Sequence, residues 1–402
     1  MSKELLTMNK KELQRLKVLE QVENKVLTVK AASECLNLSE RQTYRIIKRY
    51  RSQGEKGLLH QSRGRPSNRG YRKELQEKVI NIYRKNYKDF GPTLFSEKLA
   101  ERHCLILDHE TVRRWLRSYG EITATRKTRG HRKKRQRRTS IGEMLQFDGS
   151  PHDWFEGRGE VCSLLHCVDD ASSKVFLRFA KSENTQDVLQ TLREYVEENG
   201  SFHSIYTDKF AVYYAEKQKT DFQKAMEKLS VRCIYANSPQ AKGRVERGNR
   251  TLQDRLVKEM RLREISNIEQ ANKFLKESFI ADYNRRFSHT EGLPDIHTEV
   301  NKDNLDNIFC YETQRQVRND YTITLSGKYI QLEKSKKYAL PLPKQFVTLR
   351  RYLDGSLHIF NLEDELEYKE LKDKPKRKIK VKYIPPANHP WRKIQFGKSK
   401  YA

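Results

Sequence analysis

The chain has no apolar run near the roughly 20 residues needed to span a bilayer. Its first stretch, Met1 to Lys11, is polar and charged, without an apolar signal core. A secreted or membrane protein is therefore not expected, and a cytoplasmic one is. Cysteine is sparse: Cys35, Cys104, Cys162, Cys167, Cys233 and Cys310 form no C-x-x-C pair. Nothing in that spacing asks for zinc or a disulfide framework, so reduced, mostly buried thiols are expected. No internal repeat of solenoid period is present. Acid is the scarcer charge, with 53 Asp+Glu against 81 Lys+Arg and a formal net charge of +28. Such an excess calls for a polyanionic partner, or else strong self-repulsion is tolerated. Against these absences stand 20 Tyr and 16 Phe in 402 residues. That many aromatics argue for folded cores with a basic surface rather than a disordered basic chain. The length implies about two to four domains.

The positive charge is unevenly placed. Between Glu121 and Ser140, nine Lys/Arg, among them Lys133 and Arg135, face one acid. From Lys372 onward eleven Lys/Arg face Asp373 alone. Like-charge blocks read as linkers or tails that meet phosphates. The expected domains are a helix-turn-helix domain at 1–60 and a second helix-turn-helix-like helical domain at 61–120. A basic linker at 121–140 leads to an α/β region at 141–300. Short strands at 301–370 and a basic tail at 371–402 follow.

Near the N-terminus, Leu13, Leu16 and Leu19 have helical spacing. Thr28 and Ser39 are placed to cap two further helices, the second running from Glu40 to Arg51 and carrying Tyr44, Ile47 and Tyr50. A small-residue helix, a tight Asn37-Leu38-Ser39 turn and a basic helix meet the needs of a helix-turn-helix. Arg41, Gln42 and Arg45 are the candidate base readers, with Lys48 beside them. In the second unit Leu75, Val79 and Ile82 make a stripe, and Pro92 suits the first turn of a helix. Asp108 can cap a third helix that carries Arg113 and Arg114 outward. Between the units, Arg63-Gly64-Arg65-Pro66 is narrow enough to place Arg63 and Arg65 in a minor groove.

The middle region alternates strand and helix. Met144 to Asp148 reads as a strand ending in a carboxylate. Val161–Val168 and Lys174–Ala180 form a hairpin, and Thr185–Glu198 is an amphipathic helix. His203–Thr207 is a strand that ends at Asp208, Phe222–Leu229 is helical, and Val231–Tyr235 is a fifth strand. A long basic helix starting near Lys242 carries Glu246. Clustered carboxylates repel unless cations lie among them, and oxygen-only sets suit Mg²⁺ or Mn²⁺. Asp153, Asp169, Asp170 and Asp221 are rival carboxylates on this reading alone.

The stretch Ser238-Pro-Gln-Ala-Lys-Gly-Arg-Val-Glu-Arg-Gly-Asn-Arg250 resembles the end of the DDE integrase core. Leu145-Gln-Phe-Asp-Gly-Ser150, Val168-Asp-Asp-Ala-Ser172 and Ile205-Tyr-Thr-Asp-Lys209 match that family's other signatures in order. The chain looks most like bacterial insertion-sequence transposases of the ISNCY type. That resemblance implies N-terminal all-α helix-turn-helix units, an RNase H-like α/β core with a mixed five-stranded sheet, and a C-terminal small β-barrel. It also implies a catalytic and metal-binding triad of Asp148, Asp208 and Glu246 holding two Mg²⁺ or Mn²⁺ ions. Lys242, Arg244, Arg247 and Arg250 then meet phosphates beside the cut. The implied partners are double-stranded DNA, as terminal inverted repeats and target, and a second copy of the chain, at least a dimer on DNA. The implied activity is strand cleavage followed by strand transfer. A domesticated, inactive transposase acting as a DNA-binding regulator, and a metal-dependent nuclease without strand transfer, are the competing readings. Two positions depart from the common pattern: Gln253 where many relatives carry Lys or Arg, and Lys209-Phe210 where many carry Asn-Gly.

Overall fold

The computed structural model describes residues 6–60, 62–63, 70–123, 136–236, 243–334, 339–371, 386 and 388–390. The chain divides into two compact units, Met1–Lys127 and Thr128–Ala402.

The first unit is helical, and its helices begin where short polar side chains satisfy free backbone amides. Asn9 and Glu12 form a reciprocal capping box on α1 (Lys10–Glu23). Thr28 caps α2 (Val29–Leu36), and Asn37 ends it in the left-handed region at φ 51. Ser39 caps α3 (Glu40–Gln53). Leu19, Ile46, Ile47 and Leu58 form the core of this three-helix group. The buried stripes differ from the expected ones. Leu13 and Tyr44 are exposed, while Glu12 and Thr43 are buried. The reason is Glu12, whose carboxylate accepts from the Asn9 and His60 amides and pairs with Arg63 at 2.9 Å. That anchored acid turns α1 so that Leu13 points outward.

The Asn9 amide, and after it the His60 amide and Arg63, hold the Glu12 carboxyl below its ordinary range. A lowered folded-state pKa contributes stability above the ordinary carboxylate range, and this is lost as pH falls through the lowered value. Glu12→Ala is expected to lower the melting midpoint at pH 7 and to flatten its fall toward acid pH. Circular dichroism melts across pH 3–7 check this, and parallel curves for the two proteins would refute it.

The second helical group is α4 (Lys73–Asn86), α5 (Pro92–His103) and α6 (His109–Ser118). Pro92 occupies the first turn of α5, and Asp108 accepts from the Glu110 and Thr111 amides to cap α6. The buried stripe on α4 is Val79, Ile80 and Tyr83 rather than Leu75, Val79 and Ile82. Tyr83 wins over Ile82 because its hydroxyl finds the Lys88 carbonyl at 2.7 Å while its ring packs on Phe95.

The second unit centres on five strands: β1 (Leu145–His152), β2 (Cys162–Asp169), β3 (Val175–Ala180), β4 (Ser204–Thr207) and β5 (Arg232–Tyr235). Their order is β3-β2-β1-β4-β5. β1, β2 and β3 are antiparallel, whereas β4 runs parallel to both β1 and β5. Helix α7 (Thr185–Asn199) connects β3 to β4 and α8 (Asp221–Lys228) connects β4 to β5. After β5 come α9 (Gly243–Arg261), α10 (Ile268–Phe274) and α11 (Ile280–Phe287), the last two joined by a π-turn at Leu275–Phe279. β1 continues four residues beyond Asp148, because β2 offers it ladder partners as far as Cys162. Asp148 therefore lies inside the strand and not at its end.

Both sheet faces are covered, which is why β2 is buried throughout. Leu145, Phe147, Leu165 and Cys167 pack against α7 and α8 residues such as Leu189 and Phe222. Leu164, Val168 and Leu177 pack with Val245, Leu252 and Leu256 of α9. Period-two alternation then sends Gln146, Asp148 and Ser150 of β1 to the α9 side, with His166 of β2.

The remaining strands are β6 (Tyr311–Gln316), β7 (Thr322–Leu325), β8 (Lys328–Leu332), β9 (Phe346–Arg351), β10 (Leu357–Asn361), β11 (Asp364–Glu365) and β12 (Tyr368–Leu371). They make two small antiparallel sheets, β11-β10-β9-β6 and β12-β8-β7. Val317, Ile323, Ile330, Val347, Leu349 and Ile359 form one core shared by both. All six cysteines are free, but Cys35 and Cys104 are exposed, so only part of the set is buried. Among the described residues no helix is long and apolar enough to cross a membrane.

Candidate active site

The pairing of β1 with β4 sets the site. Leu145 lies opposite Ile205 and Gln146 opposite Tyr206 in the parallel register. Both chains run on from there toward Asp148 and Asp208, and the charges of both carboxylates act on the one buried Tyr213 phenol. Asp208 follows the last residue of β4, and its Oδ1 accepts the Phe210 amide at 3.0 Å. Glu246 lies in the first turn of α9 and is exposed. Asp148 and Asp208 thus lie on or just beyond neighbouring strands, and Glu246 on the helix that follows β5. Among the described residues no group of three His, Cys, Asp or Glu is gathered for an ion.

Asn249, one turn after Glu246, ties α9 to the sheet. Its Nδ2 donates to Asp148 Oδ2 at 3.1 Å. Gln253, one turn further, donates to Ser150 Oγ at 3.1 Å. Of Asn249 and Arg250, it is Asn249 that shares the inner face, while Arg250 is exposed. The oxygen of the same amide, Oδ1, meets His166 Nδ1 at 2.8 Å. Burial pushes the imidazole down to about 4, against the pull of the Asn249 bond, so the ring is neutral.

A further carboxylate borders the site. A Cβ added at Gly149 would overlap the Glu183 carboxylate, so Glu183 lies directly against the β1 backbone beside Asp148. The Tyr213 hydroxyl donates to Glu183. Burial, and then the negative charges of Glu183, Asp208 and Asp148, push the Tyr213 phenol well above its ordinary range. Sequence reasoning missed His166, Glu183 and Tyr213. The available signal for His166 was an imidazole inside an otherwise apolar strand, Leu164-Leu165-His166-Cys167-Val168.

The rival acids have structural partners. Asp169 accepts from Ser172 and from the Gly142 amide, and Asp170 from Gln146 and the Arg138 amide. Asp153 accepts the Gly157 amide, and Asp221 holds Lys224 and the Glu312 amide.

The basic candidates divide. Arg41, Gln42, Arg45 and Lys48 are all exposed on one face of α3, together with Tyr44. Arg114 is exposed and donates to Thr111 Oγ1, whereas Arg113 pairs with Glu110. Two of the DNA candidates are engaged within the protein. Arg63 is held by the buried Glu12. Arg244 pairs with the fully buried Asp170 and also bonds its carbonyl at 2.7 Å, clasping α9 to the β2–β3 turn. Desolvated acids need such partners; the Arg63 side chain keeps 43% of its surface exposed and that of Arg244 16%. Arg247 is exposed, with its Nε on the Gly243 carbonyl. Arg65, Lys133, Arg135 and Lys242 lie outside the described residues. Asp170→Ala leaves Arg244 buried without its acid, which should cost about 3 kcal/mol of stability. Urea unfolding checks this, and an unchanged midpoint would remove the clasp from the account.

Residues 14–67 match the helix-turn-helix domain family and residues 42–116 the homeodomain-like domain family. Over 366 residues the chain is 37% identical to y4bF of Sinorhizobium fredii, a protein named as a transposase, covering 88% of this chain and 80% of that one. The chain belongs to the transposase family. It is also 29% identical to the transposase for insertion sequence IS1202 of Streptococcus pneumoniae, over 92% of this chain and 90% of that one. Solved structures are similar at lower identity. A chain of the simian T-cell lymphotropic virus intasome, bound to PP2A regulatory subunit B56 gamma, is 16% identical with a TM-score of 0.33. It covers 66% of this chain and 96% of its own length. The HTLV-2 integrase catalytic core domain in complex with magnesium is 18% identical, TM-score 0.27, covering 35% of this chain and 90% of that one. Such scores add nothing to the strand order described above. The transposase thus has a helix-turn-helix region and a second unit built on a mixed five-stranded sheet.

Proposed function

We propose that this transposase, of the ISNCY insertion-sequence type, binds the terminal inverted repeats of a mobile element, cleaves the DNA and joins it to a target. The observation that supports the reading is the parallel β1–β4 pairing, which leads toward Asp148 and Asp208, while Asn249 binds the helix of Glu246 to Asp148. Asp148, Asp208 and Glu246 are the catalytic, metal-holding residues in this reading. Their donor atoms are carboxylate oxygens, which fits Mg²⁺ or Mn²⁺, two per site. Bound there, divalent ions supply charge neutralisation to a phosphodiester undergoing in-line displacement. Asp148 is oriented by Asn249, and Asp208 by the Phe210 amide. No Ser or Tyr nucleophile is required, because water and then the freed 3′-hydroxyl attack phosphorus.

The exposed face of α3, with Arg41, Gln42, Arg45 and Lys48, reads the repeat, and Arg114, Arg247 and Arg250 meet backbone phosphates. Residues 1–60 and 61–120 act as the two binding domains, 121–140 as the linker, 141–300 as the core and 371–402 as a basic tail. The two C-terminal sheets, sharing one core, close as the small barrel of 301–370. Holding both element ends requires at least a dimer on DNA.

Incubating the protein and Mn²⁺ with a labelled element end and a plasmid tests the whole reading. Joined products carrying the label are expected. Nicked ends without joining would make it a nuclease, and bound but uncut ends a regulator.

A further inference from the structure

Asp148 and His166 are direct cross-strand partners in the β1–β2 ladder. Their side chains therefore rise on the same sheet face, toward α9. Asn249 bridges them from above, donating Nδ2 to Asp148 Oδ2 and presenting Oδ1 to His166 Nδ1. The amide orientation is forced, because an ionised carboxylate only accepts. The imidazole must then carry its proton on Nδ1. Its Nε2 is buried, with no hydrogen-bond partner among the described residues. Burying an unpartnered nitrogen is costly, so the fold keeps this histidine for its other side. The backbone of α9 lies hard against the ring: a Cβ at Gly248 would stand 2.6 Å from His166 Cε1. His166 thus supports α9 above the sheet and, through its Nδ1–H, holds the Asn249 amide in the direction that Asp148 requires.

We propose that His166 is a positioning residue for the metal site: through Asn249 it pins Asp148 Oδ2, and it seats the helix that carries Glu246. This rests on the triad reading given above. Outer partners of this kind typically change metal affinity or activity by about 10–100-fold when removed.

The test uses the full chain and Mn²⁺ as the probe. Mn²⁺ binding is followed by electron paramagnetic resonance without DNA, and strand transfer is measured separately as kcat and KM for a labelled end. His166→Phe keeps ring volume but has no donor. His166→Asn places an N–H close to where Nδ1 stands. The expected result is weaker Mn²⁺ binding and lower kcat for His166→Phe, by about 10-fold or more, with KM for the end unchanged. His166→Asn should recover most of that loss. Combined with Asn249→Ala, His166→Phe should add little, since both break one chain. Wild-type Mn²⁺ binding in His166→Phe would overturn the proposal. So would a His166→Asn protein that melts like wild type yet binds Mn²⁺ no better than His166→Phe. Asp148→Asn serves as the control. If that variant binds Mn²⁺ normally, the triad reading itself fails. If it loses Mn²⁺ while His166→Phe does not, only the role of His166 fails.

Discussion

Asp148→Asn is expected to abolish strand cleavage and joining while leaving binding to element ends nearly intact. The substitution keeps the side-chain shape but replaces one charged oxygen with a donor. Asn249 Nδ2, now 3.1 Å from an accepting oxygen, would meet either a weaker acceptor or another amide nitrogen. The carboxylate charge beside Asp208 would vanish in either orientation. A rate loss of about 10³-fold or more corresponds to roughly 4 kcal/mol on the barrier. End binding survives because α3 lies in the first compact unit, apart from the unit that holds Asp148. Glu246→Gln should behave in the same way. Gel-shift titration alongside product mapping checks both halves, and wild-type joining by either variant in Mg²⁺ would end the triad assignment.

The second large effect is on binding. With a formal net charge of +28, affinity for DNA should fall steeply with salt. Neutralising six to ten phosphates costs about 10³–10⁵-fold in affinity between roughly 50 and 200 mM salt. A flat response would contradict a phosphate-dominated interface. Within that electrostatic background, Arg41→Ala and Arg45→Ala separate base reading from backbone contact. A base reader should cost about 1–3 kcal/mol on the element end and much less on unrelated DNA. Equal losses on all sequences, with a reduced salt slope, would make these arginines phosphate contacts. Tyr44 is exposed on the same face, so Tyr44→Ala belongs in the same series.

Much of the local architecture was legible because it depends on near neighbours. Thr28, Ser39 and Asp108 cap helices by bonding amides two or three residues on, and Pro92 starts one because its ring suits a first turn. The strands of the core followed from β-branched and aromatic runs between polar turns. Face assignments within helices were harder. On α1, α3 and α4 the expected apolar stripes shifted, and Glu12, Thr43 and Tyr83 are buried instead of Leu13, Tyr44 and Ile82. Hydrophobicity alone does not see that a polar side chain can be buried once partners satisfy it.

By itself, then, the sequence determined the order of elements and the basic character of the chain, which are properties of residue type and short spacing. The triad candidates came from its resemblance to the DDE integrase core. Only the tertiary structure decided how side chains far apart in the chain pair. Arg63 belongs to Glu12, 51 residues away, and Arg244 to Asp170, 74 residues away. Asn249 rather than Arg250 reaches Asp148 across 101 residues, and His166 meets Asn249 across 83. Each of these choices follows from burial. A desolvated acid or amide takes whichever partner the packing brings within about 3 Å, and that packing is set by the β1–β2 and β1–β4 registers and the seating of α9.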